Sequence, residues 1–182
     1  MRPEDVGPRL KRQDWLFTRD PLYFVTANTE NRRQQLSHDR VHQAFHAFCQ
    51  GGLERGVFVG RYVLMPDHLH LFVTFGAEYK SRLIARRESD AAVAAVCDRR
   101  ISPLWYWMKS LKNSLSKTLR FMGVPAPHWQ KAFFDHVLRS EESYSEKWLY
   151  VAENPVRKGL VPRWEDWPFQ GEIYPLQTRG HL

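Results

Sequence analysis

The chain has 182 residues, of which 43% are apolar and 26% are charged, a balance that is ordinary for a folded globular protein and argues against a wholly disordered one. No run of about 18 apolar residues is present and the first residues lack the apolar stretch of a signal peptide, so a cytoplasmic protein is expected. The 27 Lys and Arg against 20 Asp and Glu give a net charge of +7, which favours polyanionic partners without deciding among them.

The first half of the chain predicts a strand, a helix and a hairpin. Residues 22–26 are rich in β-forming side chains and follow a proline. Ser37 is placed to cap a helix that is predicted to end near Gln50, before two glycines. Residues 57–65 and 68–74 then predict two further strands joined by a tight turn.

The second half predicts two helices and one more strand. Residues 104–122 carry an apolar stripe at helical spacing, and residues 133–138 read as a strand. A helix is predicted from Glu141, with a boundary near Asn154 because a proline follows it. The arginine-rich stretch at about 76–102 predicts an insertion that contains a short helix.

This order of elements predicts an α+β fold. It matches a ferredoxin-like (RRM-like) antiparallel sheet with helices on one face, plus one further helix. Residues 1–20 predict a basic N-terminal arm, and residues 163–182 an aromatic C-terminal tail. Such a fold also serves binding modules without enzymatic activity, so function depends on the side chains.

Two histidines on the third predicted strand are candidate metal ligands. Side chains alternate along a strand, so His68 and His70 project to the same face. Two imidazoles on one face can bind a divalent cation, or they can be two hydrogen-bonded histidines in a hairpin. A second set, His38, His42 and His46, shares a helix face but lacks a completing carboxylate apart from Asp39, and is therefore disfavoured.

Tyr150 and Asn154 lie four residues apart on the last predicted helix and share a face, whereas Tyr144 is turned away from them. A phenol has a pKa of about 10 and needs help to act as a nucleophile, which a metal at the phosphate would supply. The Asn154 amide oxygen beside two imidazoles forms a ligand set that suits Mg²⁺ or Mn²⁺. The alternative is that Tyr150 packs against the sheet.

Four segments occur in a fixed order along the chain. They are Phe24-Val25-Thr26 with Arg32-Arg33, Met65-Pro66-Asp67-His68-Leu69-His70, Tyr150-Val151-Ala152-Glu153-Asn154-Pro155-Val156-Arg157-Lys158-Gly159-Leu160-Val161, and Asp166-Trp167-Pro168-Phe169. Together they resemble the REP-associated tyrosine transposases, bacterial single-tyrosine enzymes of the HUH nuclease superfamily. The resemblance covers residues 21–170 and departs from the family at Leu149, where relatives often have Asp, and in the length of the insertion.

The resemblance implies a HUH-type catalytic domain over residues 21–162. It implies that His68, His70 and Asn154 bind the metal and that Tyr150 is the nucleophile. The expected reaction is cleavage and strand transfer of single-stranded DNA beside hairpins of palindromic repeats, through a 5′-phosphotyrosine and a free 3′-OH. It further implies a bacterial, nucleoid-associated protein, either a monomer or a homodimer.

Several basic residues are candidate DNA contacts, by phosphate binding or, for the loop arginines, by reading guanine edges. They are Arg32, Arg33, Lys109, Lys112, Lys117 and Arg120. Each is equally consistent with a solvated surface charge.

Two other functions are weighed against the transposase. A domesticated relative that binds hairpin DNA without cutting it is disfavoured, because all four proposed catalytic positions are intact. A histidine-triad nucleotide hydrolase would need a further histidine at position 72, which is Phe72.

Overall fold

The computed structural model describes residues 21–89, 102–138 and 141–176. The predicted N-terminal arm, the later part of the predicted insertion and the last six residues of the tail lie outside the described residues. Among the residues that are described, no helix combines the length and the apolar character needed to cross a membrane.

Five strands form one antiparallel sheet in the order β4-β1-β3-β2-β5. They are β1 (Leu22–Asn28), β2 (Val57–Leu64), β3 (His68–Phe75), β4 (Phe134–Leu138) and β5 (Gln170–Glu172). The first four strands have the ferredoxin-like order that the sequence predicts, so the α+β fold class is confirmed. The three-residue strand β5 was not predicted, because it is too short to show an alternating pattern.

Five α-helices accompany the sheet in the described residues. They are α1 (Asp39–Leu53), α2 (Ala77–Ser89), α3 (Pro103–Phe121), α4 (Glu141–Ala152) and α5 (Asn154–Arg157). Helix α2 opens the predicted insertion. Helix α3 begins after Ser102, whose hydroxyl accepts the Trp105 amide N–H at 3.1 Å, and such a cap satisfies one of the free donors at a helix start.

The predicted ends of α1 are corrected by the structure. His38 rather than Ser37 is the capping residue, and its ring nitrogen accepts the Arg40 amide N–H at 3.2 Å. The helix also continues past Gln50 through both glycines. The second of these, Gly52, lies so close to Val57 that a Cβ would come within 3.4 Å of it. The glycine therefore permits close packing of α1 on β2 and does not end the helix.

The two faces of the sheet are covered by different helices. Helices α1 and α3 pack on one face, where residues such as Val25, Leu71 and Leu111 are fully buried. Helix α4 is the further helix and packs on the opposite face, where its Trp148 joins Phe72 in a second buried cluster. The strands of this sheet are thus apolar on both faces, and the side chains of α4 share a layer with one face of β3.

An irregularity in β2 changes which of its side chains face each layer. Val59 pairs with Val73, but the next register pair is Tyr62 with Leu71, so β2 contains one extra residue. Val59 and Tyr62 consequently both pack in the α1/α3 core, and Val63 faces the opposite layer. Such a bulge reverses the alternation of side chains beyond it.

The aromatic tail is docked on the sheet. Trp167 is buried, and its indole N–H donates to the Leu64 carbonyl oxygen at 3.1 Å. The tail continues into β5, which pairs with β2. Residues of the tail up to 176 are therefore an integral part of the domain.

Candidate functional site

His68 and His70 project from β3 toward the layer that contains α4. Their ring centroids are 4.7 Å apart in an edge-to-face arrangement, and both side chains are buried. Alternation along the strand places them on one face, as predicted, while Leu69 between them packs in the α1/α3 core. The turn before them is tight, because the Met65 amide N–H donates to the His68 carbonyl oxygen at 2.8 Å.

Each imidazole is held through its Nδ1 atom. His68 Nδ1 lies 2.6 Å from the Asp67 carboxylate, and His70 Nδ1 lies 2.8 Å from the Thr26 hydroxyl on β1. Thr26 is the register partner of His70, so the β1–β3 pairing sets this contact. A metal-binding histidine commonly donates its other ring N–H to such a partner, which leaves Nε2 as the nitrogen that would bind a cation.

Burial also favours the neutral form of both rings. Desolvation lowers the pKa of His70 to about 3, with a further contribution from His68. Desolvation lowers the pKa of His68 as well, although Asp67 opposes this effect. Neutral imidazole is the form that binds a metal, so the charge state and the Nδ1 contacts both fit the predicted cation.

Asp67 connects the histidine pair to Arg32. One carboxylate oxygen contacts His68, and the other lies 3.0 Å from Arg32 Nε. Arg32 also donates to the Asn28 side-chain oxygen. Its side chain is 49% exposed, so this predicted DNA contact borders the sheet face that carries the two histidines, and its charge offsets that of Asp67.

Tyr150 is exposed near the end of α4, in contrast to the buried Tyr144 six residues earlier on the same helix. Its exposed fraction is 62%, against 7% for Tyr144. The alternative that Tyr150 packs against the sheet therefore does not hold. Tyr144 instead fills the interior, where its ring meets Phe72 edge to face at 4.7 Å.

Arg157 joins Tyr150 to Asn154. Its guanidinium lies 4.3 Å from the centre of the Tyr150 ring. The same group donates to the Tyr150 carbonyl oxygen at 2.6 Å and to the Asn154 side-chain oxygen. Sequence analysis did not select Arg157, although its spacing of seven from Tyr150 and three from Asn154 places it on their helix face.

The charges at the end of α5 reach the histidine pair. The charge of Arg157 contributes to the lowered pKa of His70, and that of Lys158 to the lowered pKa of His68. Phe24 stacks on His70 with 5.5 Å between ring centres, and Lys147 of α4 lies 5.4 Å from the centre of Phe24. Asn154 Oδ1 is engaged by Arg157, but an amide oxygen has two lone pairs and can serve a second partner.

Two of the predicted DNA contacts have structural partners within the domain. Arg33 donates to the carbonyl oxygens of Pro125 and Pro127. Lys112 donates to the carbonyl oxygens of Gln130 and Ala132 at 2.9 and 3.2 Å. Burial lowers the pKa of Lys112 to about 8, so this lysine is not a solvent-facing phosphate ligand in this conformation.

The other members of the basic set on α3 stay on the surface. Lys109, Lys117 and Arg120 are exposed, and Lys109 lies 5.2 Å from the centre of the Trp105 ring. These three side chains are therefore free to make the predicted contacts with phosphates.

The alternative histidine set on α1 does not converge. His38 caps the helix, and His42 Nε2 lies 2.8 Å from the Tyr62 hydroxyl. Within residues 21–89, 102–138 and 141–176, no group of three or more His, Cys, Asp or Glu side chains is arranged to hold a metal ion. The predicted ligand set, His68, His70 and the amide of Asn154, lies outside this criterion because it contains only two such side chains.

Known proteins resemble the chain in both sequence and fold, although no family model matches it. A REP-associated tyrosine transposase of Escherichia coli (strain K12) is 24% identical over 173 residues, which cover 91% of this chain and 89% of that protein. A relative from Haemophilus influenzae is also 24% identical, over 178 residues, with 91% of each chain covered.

A solved structure has the same fold. It is that of a REP-associated tyrosine transposase bound to a REP hairpin, with a TM-score of 0.54 and 20% identity, covering 89% of this chain and 92% of that one. Along about nine-tenths of its length, this chain is therefore similar in sequence and fold to the REP-associated tyrosine transposases, the family that its motifs indicate.

Proposed function

We propose that this protein is a metal-dependent, single-tyrosine transposase that cuts and rejoins single-stranded DNA beside hairpins of palindromic repeats. The observation that carries the proposal is an exposed Tyr150 joined through Arg157 to Asn154, at the end of the helix that packs over the sheet face of His68 and His70. The relatives named as REP-associated tyrosine transposases, one of them bound to a hairpin, support the choice of substrate.

In the proposed reaction, Tyr150 Oη attacks a backbone phosphorus. A phosphorus–oxygen bond to the phenol forms as the bond from phosphorus to the 3′-oxygen breaks. The phenol proton is released, and the departing oxygen takes up a proton to become a 3′-OH. The number of phosphodiester bonds is conserved, so the reverse attack by a 3′-OH rejoins the strand without a nucleotide cofactor.

The protein groups around the phenol have separate roles. Arg157 holds the Tyr150 ring, with its guanidinium 4.3 Å from the ring centre. Asp67 and Thr26 orient the two imidazoles. Mg²⁺ or Mn²⁺ bound by His68, His70 and Asn154 would polarise the scissile phosphate as a Lewis acid.

A test of the proposal is the fate of labels at the two ends of one substrate. The protein is incubated with Mn²⁺ or Mg²⁺ and a single-stranded oligonucleotide that contains a palindromic-repeat hairpin and unpaired flanks. With a 3′ label, we expect a labelled protein–DNA adduct that survives a denaturing gel. With a 5′ label, we expect a free, shorter fragment with a 3′-OH.

The same experiment distinguishes the proposed transposase from the alternative, a protein that binds the hairpin without cutting it. Salt-sensitive binding of the hairpin with neither label product, under any divalent metal, would favour that alternative. An adduct carrying the 5′ label would contradict the proposed polarity of attack.

The exposed basic face of α3 gives a second prediction. Lys117→Gln and Arg120→Gln should each reduce the slope of log K against log salt by about 0.7 to 0.9, because each removes one phosphate contact. Lys112→Gln is the matched control, since its ammonium is bound to backbone carbonyls. It should lower the unfolding temperature and leave the slope unchanged, and an unchanged slope in all three variants would remove α3 from the DNA interface.

A further inference from the structure

The edge strand β4 displays two rings beside the histidine pair. Phe134 is 60% exposed and His136 is also exposed. Phe133, which precedes them, instead packs against the α1/α3 core, with Lys112 5.6 Å from the centre of its ring. Two adjacent phenylalanines therefore point to opposite faces, and only the first is covered.

The strand register places the exposed rings on the sheet face that carries His68 and His70. Phe134 pairs with Thr26, which in turn pairs with His70. His136 pairs with Phe24, the ring that stacks on His70. Register partners project to the same side of a sheet, so these residues form two neighbouring rows.

The distance from this edge to the proposed reaction centre is short. Adjacent strands are about 4.8 Å apart, so the backbone of Phe134 lies about 10 Å from that of His70, two strands away. This corresponds to about three stacked nucleotides. DNA that places a phosphate at the histidines would thus bring its nearby bases to the edge of β4.

The charged residues near Phe134, His136 and the histidine pair suit a polyanionic ligand. Lys147 stands over Phe24, and the charges of Arg157 and Lys158 reach the histidine pair. Asp67 on this face is paired with Arg32. Asp135 has Val25 as its register partner and so projects toward the α1/α3 layer.

We propose that Phe134 and His136 form a stacking platform for unpaired bases of the single-stranded DNA that flanks the scissile phosphate. The proposal rests on the proposed function, because it takes the histidine pair as the reaction centre. Aromatic rings bind bases through their faces with little dependence on sequence. The platform would hold the flank, and the hairpin itself would be bound elsewhere.

Binding measured without cleavage tests the platform. The full chain is titrated, in EDTA, into a fluorescent hairpin with a single-stranded flank and into the same hairpin without it. We expect Phe134→Ala to weaken binding of the flanked hairpin about 5- to 150-fold, the range for loss of one base stack. Binding of the hairpin without a flank should not change.

Three further variants separate stacking from other effects. Phe134→Trp should restore binding, and Phe134→Leu should not, because leucine keeps apolar volume without a ring. Ile84→Ala is the control, since Ile84 is 55% exposed on α2, for which no DNA contact is proposed, and it should bind both ligands normally. Thermal unfolding of each variant verifies that the fold is intact.

Other results would overturn the proposal. Equal losses for both hairpins, or no loss for either, would show that Phe134 does not bind the flank. A change in sedimentation without a change in DNA binding would instead assign β4 to contact between two copies of the chain. Because EDTA prevents cleavage, the binding assay tests the platform independently of the chemistry. The adduct assay can therefore fail while the platform is confirmed, and the adduct can form while the platform is contradicted.

Discussion

Tyr150→Phe is expected to abolish the covalent protein–DNA adduct and to lower strand cleavage by at least about 10³-fold. The substitution removes only the phenol oxygen that would become bonded to phosphorus. Tyr150 is 62% exposed, so the loss of its hydroxyl leaves no buried polar group unpaired. Hairpin binding in EDTA should therefore remain at the wild-type level, which would assign the loss to chemistry.

The matched control is Tyr144→Phe, on the same helix. Tyr144 is buried against Phe72 and its phenol faces the interior, so the variant should form the adduct at the wild-type rate. Adduct formation by Tyr150→Phe would show that another group is the nucleophile. If Tyr144→Phe lost the adduct while its unfolding temperature stayed unchanged, Tyr144 rather than Tyr150 would be the candidate nucleophile.

His68→Ala combined with His70→Ala is expected to lower metal-stimulated cleavage by at least about 10²-fold and to eliminate the Mn²⁺ binding heat in calorimetry. Loss of a supporting partner alone typically costs 10- to 100-fold in metal affinity or activity, so loss of both ligands should cost more. His46→Ala is the control, because His46 lies on α1, which packs on the opposite face of the sheet. It should bind Mn²⁺ normally.

A graded variant tests the supporting contact. Thr26→Val keeps the shape of the side chain but removes the hydroxyl beside His70 Nδ1. We expect about a 10- to 100-fold weaker response to Mn²⁺, with cleavage recovering at high metal concentration. Full Mn²⁺ binding by the double histidine variant would contradict the assignment of the ligands.

The sequence was sufficient for those features that depend on spacing within one element. Alternation along β3 predicts that His68 and His70 share a face, and the helix period predicts that Tyr150 and Asn154 do. The ferredoxin-like strand order also follows from the order of the elements. Each of these arrangements repeats over a few residues, so a single chain shows it directly.

The features that sequence analysis missed depend on contacts between distant segments. Lys112 looked like a surface cation, but it binds the carbonyl oxygens of Gln130 and Ala132, which lie 18 and 20 residues further along the chain. The hydroxyl partner of His70 comes from another strand. Arg157 is an exception, because its spacing from Tyr150 and Asn154 already pointed to their face of the helix, and only its contact with the Tyr150 ring required the structure.

The extra residue in β2 has a consequence for how this domain tolerates changes in length. Deleting Gly60 or Arg61 would leave one residue between Val59 and Tyr62, as in a regular strand, so Tyr62 would keep its partner Leu71 and stay in the α1/α3 core. Val63 would likewise keep facing the layer of His70. A one-residue deletion beyond the bulge would instead turn the following side chains of β2 to the wrong face. The loss of a single codon should therefore be tolerated better at the bulge than elsewhere in the strand.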